Sequence, residues 1–286
     1  MWGKANRFIH SHTILSVILL GMLFPLALAL IAILFIDVPQ DGLPPRIESL
    51  AIFTMIQLIL TVIIIWLMRK MGVFSALDFK LKNLGKGFML GWIAIVLPLA
   101  LFIIGLTQLP PDSLVQPNIS RLAVVVLHPF IGTGLFEEVL FRGLILKLLL
   151  VKMGHTKKGI VIAIVISSVI FGLTHIINSI AGTLEIAENI GQIISSIVIG
   201  FFYAVLYLRT KNLWVPILLH GFVNLFAGQI FGAIVSDEAM LKLTQYQAVV
   251  DIGGLIANIL LSTVPALVAG LILLRKVKPD EIVTDS

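Results

Sequence analysis

Three short segments hold nearly all the polar chemistry of an otherwise apolar chain. The first is Phe136-Glu-Glu-Val-Leu-Phe-Arg-Gly143, the second ends at His175 in Phe171-Gly-Leu-Thr-His, and the third places His220 four residues before Asn224. Ionisable groups inside an apolar helix are costly, and they mark function by default. Glu138 and Arg142 are four apart with the acid N-terminal, the favoured order for an ion pair on one helix face. Glu137 points ~100° away from that face and has no cation of its own on the helix. Such a carboxylate suits a general base. His220 and Asn224 share a face and present an imidazole and an amide to one point. A glutamate can take a proton from water. The imidazoles and the amide can either stabilise a tetrahedral oxyanion or ligate a metal. Glu137, His175 and His220 form an acceptable set for zinc or another divalent ion, whereas asparagine is a poor fourth ligand. The chain has no cysteine, which removes thiolate sites and a cysteine nucleophile, and it has neither a His-Glu-x-x-His run nor a Gly-x-Ser-x-Gly elbow.

The elements that must position these groups are membrane helices. Of 286 residues, 59% are hydrophobic and 12% charged, against about half and a quarter in soluble domains. Eight apolar blocks stand out, at Thr13–Ile36, Ser49–Met68, Gly87–Thr107, Leu122–Leu150, Gly159–Ile180, Asn189–Leu208, Trp214–Ile234 and Ile252–Leu274. Crossing a bilayer takes roughly 20 residues of helix, and spanning strands are short and alternate in polarity. The fold expected is therefore an all-α polytopic bundle of about eight transmembrane helices. It forms a single domain over 1–286, and the three polar segments fall within 120–235. The first block follows Lys4 and Arg7, but it is too long for a cleavable signal and no small-residue site closes it.

The loops alternate in charge. Basic residues precede block one and fill the loops after blocks two, four, six and eight. The intervening loops carry Asp37, Asp41 and Glu48, then Asp112, then Glu185 and Glu188, then Asp237 and Glu238. This alternation places both termini in the cytoplasm of a multi-pass protein. The net charge of +5 belongs to that loop pattern and implies no nucleic-acid partner. Val38–Pro45, with three prolines, reads as an external loop. Blocks four and five form a hairpin turning near His155, with Glu137 eighteen residues before the turn and His175 twenty after it, so the two sit level. Counting from the basic interface puts Glu137 roughly 8–20 Å deep and His220 roughly 10 Å deep at 1.5 Å per residue. These depths overlap if the hairpin protrudes into the cytoplasm. His128 is half a turn out of phase with Glu137, and His10, His12 and His155 are at the membrane edges; all four are set aside. Gly87 with Gly91 and Gly228 with Gly232 read as packing pairs. Trp66, Trp92 and Trp214 read as interface anchors.

The ordered set Glu-Glu-x-x-x-Arg, Phe-x-x-x-His and His-x-x-x-Asn resembles the CPBP family of intramembrane peptidases. That family includes the CAAX-type prenyl endopeptidases and bacterial proteins of bacteriocin processing and self-immunity. The resemblance implies that Glu137 and His175 activate a water, that His220 and Asn224 stabilise the oxyanion, and that the substrate is a membrane peptide or a lipidated protein. Whether members need a metal is argued both ways. Two other functions fit intramembrane Glu and His: a proton-coupled transporter, which often shows inverted repeats not visible here, and a non-catalytic immunity or scaffold protein.

Overall fold

The computed structural model describes residues 2–36, 45–77, 79, 81–109, 112–180, 186–241 and 252–283. Among them the regular structure is helical, apart from an isolated bridge between Leu114 and Val235. Helix α1 is Trp2–Ser11, α2 Thr13–Phe35, α3 Ile47–Lys70, α4 Leu84–Leu90 and α5 Ile93–Thr107. Then come α6 (Ile119–Leu127), α7 (Leu135–Glu138), α8 (Lys147–Met153), α9 (Lys157–Thr174), α10 (Ile176–Ile180), α11 (Ile186–Thr210), α12 (Trp214–Asn224), α13 (Phe231–Ile234) and α14 (Ile252–Leu274). The loop expected at Val38–Pro45, apart from Pro45, lies outside the described residues, as do the loop charges Asp37, Asp41, Lys80 and Glu185.

The chain is an integral membrane protein. Four described helices, Thr13–Phe35, Ile47–Lys70, Lys157–Asn178 and Asn189–Thr210, are long and apolar enough to cross a bilayer, and α4 with α5 makes a fifth span bent by 59°. Blocks four and seven are helical but broken by π-turns, and block eight is the continuous helix α14. On α2 and α3, Leu23, Leu34, Met55 and Val62 are more than half exposed, which in a membrane means contact with lipid rather than water.

Block four departs most from the expected continuous helix. It holds π-helical turns at His128–Gly134 and Val139–Leu146, leaving α7 as one α-turn between them. Pro129 opens the first π-turn; it cannot donate to the helix ladder and its ring clashes with the preceding turn. Apart from Arg142, the second π-turn is apolar, and it is buried all round, with Val139, Leu140, Leu144, Ile145 and Leu146 at 0% exposure, as a helix without a solvated face must be. It packs against α2, α3, α9 and α11. The hairpin turns where the sequence put it: α8 ends at Met153, and Thr156 Oγ1 accepts from Gly159 N at 3.0 Å to cap α9.

Of the two glycine pairs, only one is tight against a neighbouring helix. A Cβ on Gly87 would lie 2.2 Å from Val215, and one on Gly91 would lie 2.3 Å from Leu219. A Cβ on Gly228 would meet nothing within 4 Å, because Gly228 sits at a kink in the π-turn Leu225–Gln229 and lines a cavity. Trp66 and Trp92 are about half exposed, as the interface reading expects, and Trp214 Nε1 donates to the Phe79 carbonyl at 3.1 Å.

Candidate active site

The site is built outward from the ion pair. Arg142 and Glu138 are 1% and 0% exposed, and Arg142 Nη1 donates to Glu138 Oε1 at 2.8 Å. Charges this deep need every donor used. A second guanidinium nitrogen, Nη2, donates to the Gly200 carbonyl at 3.1 Å, and the cation lies 4.7 Å from the Phe171 ring centroid and 5.7 Å from that of Tyr203. Glycine is required at 200, since a Cβ there would stand 2.8 Å from Phe171 and 3.3 Å from Arg142 Nη2.

Glu138 does more than hold Arg142. The same oxygen, Oε1, lies 2.9 Å from His220 Nδ1. A carboxylate can only accept, so His220 carries a proton on Nδ1 and, when neutral, turns the lone pair of Nε2 outward. Nε2 faces Glu137 Oε2 at 3.6 Å. That distance is too long for a direct hydrogen bond, and both atoms are acceptors. A water that donates one hydrogen to each would satisfy both and leave its own lone pair facing away from them. Glu137 Oε2 has no partner from the protein.

Glu137 and His220 line a cavity of about 840 Å³ together with His175 and Asn224. All four residues that the sequence assigned to one point thus border one space. Their pairing differs from the expectation, because the imidazole next to Glu137 is that of His220. His175 ends α9. Its backbone N bonds to Gly172 rather than Phe171, and the Phe171 carbonyl instead accepts from His175 Nδ1 at 3.2 Å and from Thr174 Oγ1 at 2.6 Å. His175 Nε2 faces Ser196 Oγ at 3.4 Å. The metal set Glu137, His175 and His220 is not assembled: among the described residues no three acidic or histidine side chains come close enough to hold one ion.

Sequence reasoning missed several cavity residues. Tyr203 is fully buried, its hydroxyl has no partner, and its ring lies 5.5 Å from that of His220. Gln57 and Thr133 form one wall, and Asn178 donates to Gln192 at 2.7 Å in another. Neutral polar residues within helices resemble ordinary interhelical contacts. Gln57, in the middle of Ser49–Met68, and Asn178, near the end of Gly159–Ile180, carried a signal, each as the lone amide in its block.

Residues 119–226 match the model of the family described as type II CAAX prenyl endopeptidase, Rce1-like. The matched segment is similar to that family. It contains Glu137, Glu138, Arg142, His175, His220 and Asn224, so the resemblance read from the motifs holds. The chain is also 31% identical over 103 residues to YdiL of Bacillus subtilis (strain 168), named as a candidate membrane peptidase; the match covers 36% of this chain and 35% of that relative. The chain thus spans about a third of the length of the curated relative it matches. No solved structure matches it.

Proposed function

We propose that this protein is an intramembrane endopeptidase that hydrolyses a peptide bond with water activated by Glu137 and His220. The carrying observation is the 3.6 Å approach of Glu137 Oε2 and His220 Nε2, on two residues that line one cavity. Glu137 takes one proton as the water oxygen attacks the scissile carbonyl. The Asn224 amide N–H supports the oxyanion. Glu137 then returns the proton to the leaving nitrogen as the C–N bond breaks, giving a carboxylic acid, which keeps the second hydrogen of the water, and an amine. His175, with its Nδ1 proton held by Phe171, offers Nε2 as a second proton acceptor on the same cavity. The Glu138–Arg142 pair keeps the His220 tautomer and ring plane fixed.

The family supports a substrate that is a membrane peptide or a protein with a lipidated, CAAX-type C-terminus. Residues 120–235 form the catalytic core within one domain spanning 1–286. Eight crossings with both termini cytoplasmic follow from the loop charges. Reporter fusions at Lys82 and Lys278 should read cytoplasmic and one at Asp112 external; a cytoplasmic signal at Asp112 would overturn this topology.

Glu137→Ala should abolish cleavage of a C-terminally farnesylated peptide by purified protein, with folded yield and melting temperature kept. Removing a carboxylate oxygen that lacks a protein partner relieves a desolvation penalty rather than breaking a contact. A Glu137→Ala protein that still cleaves at more than about a tenth of the wild-type rate would sink the reading.

A further inference from the structure

A second polar cluster, with no place in the chemistry above, borders the same cavity. On α3, Thr54 Oγ1 donates to the Leu50 carbonyl at 2.8 Å and lies 2.8 Å from His128 Nδ1. The carbonyl can only accept, so it takes the Thr54 proton, and His128 Nδ1 must be the donor to Thr54. His128 Nε2 is then an acceptor, and the Thr133 hydroxyl donates to it at 3.3 Å. With its proton used, Thr133 Oγ1 can only accept from Gln57, whose Nε2 donates to it at 3.2 Å. The chain of bonds fixes the amide of Gln57 one way round. Its Oε1 is left without a partner, on a side chain 1% exposed.

Gln57 and Thr133 line the cavity with Glu137 and His220. The wall is tight here: a Cβ on Gly132 would stand 2.6 Å from Gln57 Oε1 and 3.0 Å from His128 Nδ1. A buried amide oxygen without a partner is unfavourable by itself, and it is stabilised when a donor arrives. An extended peptide brings such donors, one main-chain N–H per residue, and inside a membrane protein each needs an acceptor.

We propose that Gln57 is a positioning residue for the substrate, its Oε1 accepting one main-chain N–H of the bound peptide, with Thr54, His128 and Thr133 holding the amide in that orientation. The proposal rests on the cavity being the peptide site. Gln57 touches neither the water nor the scissile carbonyl; it sets the register of the chain that Glu137 meets.

The test is peptide binding to the full-length protein in nanodiscs, on a Glu137→Ala background so that the probe survives. The probes are a C-terminally farnesylated peptide and a series in which each backbone amide in turn is replaced by an ester, which removes one N–H. A single ester position should weaken binding about tenfold with Gln57 present and less than about twofold with Gln57→Ala, the range expected for one net hydrogen bond. Thr133→Val, which frees the amide to rotate, should lower the discrimination to about threefold. If Gln57→Ala fails to fold, Thr133→Val and Gly132→Ala carry the same comparison. Equal ester effects with and without Gln57, or no binding of any peptide in the series, would overturn the proposal. If the wild type binds with the expected ester pattern but cleaves nothing, the role of Gln57 stands and the peptidase reading falls.

Discussion

Two buried networks border one cavity, and they differ in charge. The first joins Arg142, Glu138 and His220, and the second joins Thr54, His128, Thr133 and Gln57. Each contains one histidine whose Nδ1 proton is fixed by an acceptor, a carboxylate for His220 and a hydroxyl for His128. The charged acceptor gives His220 an electrostatic partner that can stabilise a positive imidazole during proton transfer. The neutral acceptor gives His128 no such help, so His128 serves orientation alone. The kind of residue behind a histidine, more than the histidine itself, separates a chemical role from a positioning one.

The sharpest way to break this comparison is to neutralise the charged network. Glu138→Gln leaves the Arg142 cation buried without its carboxylate, which in general costs about 3–5 kcal/mol. Melting in detergent should fall by on the order of 10 °C, and cleavage should drop with it because His220 loses its fixed tautomer. An unchanged melting temperature would show that Gly200 and the aromatic rings hold Arg142 without Glu138. The corresponding change in the neutral network should be milder. Thr54→Val leaves the His128 Nδ1 proton without its acceptor, a loss of about 1–3 kcal/mol. It should lower melting by only a few degrees and weaken peptide binding before it touches the rate of the bound complex. A Thr54→Val variant that keeps binding but loses turnover would move His128 into the chemistry.

The charged network was largely legible in the sequence. Spacing of four residues paired Glu138 with Arg142, placed Glu137 on another face, and put His220 and Asn224 together. Counting along a hairpin brought His175 level with Glu137. The step from Glu138 to His220 was not legible, because it joins residues eighty-two apart across two helices. Two π-turns flank Glu137 and Glu138, and a third begins directly after Asn224. Such turns are frequent at functional sites, yet apart from Pro129 no residue in them announces one. The neutral network was missed for a different reason. By phase His128 stands half a turn from Glu137, and its contacts run to Thr133 and on to Gln57 rather than to the carboxylate. The fold class followed from composition, while the count of spans depends on where helices break, and breaks such as the 59° bend between α4 and α5 leave little trace in an apolar pattern.

The central claim is that Glu137 and His220 work on one water as a unit. The most direct measurement is the single-turnover cleavage rate of a farnesylated peptide by wild type, Glu137→Ala, His220→Ala and the double variant, each at saturating protein. Groups that act as a unit are strongly non-additive. The double variant should therefore cleave no more than about threefold slower than either single variant, each single variant having lost nearly all of the wild-type rate. If instead the two losses multiply in the double variant, the residues act in separate steps, and the shared water is wrong.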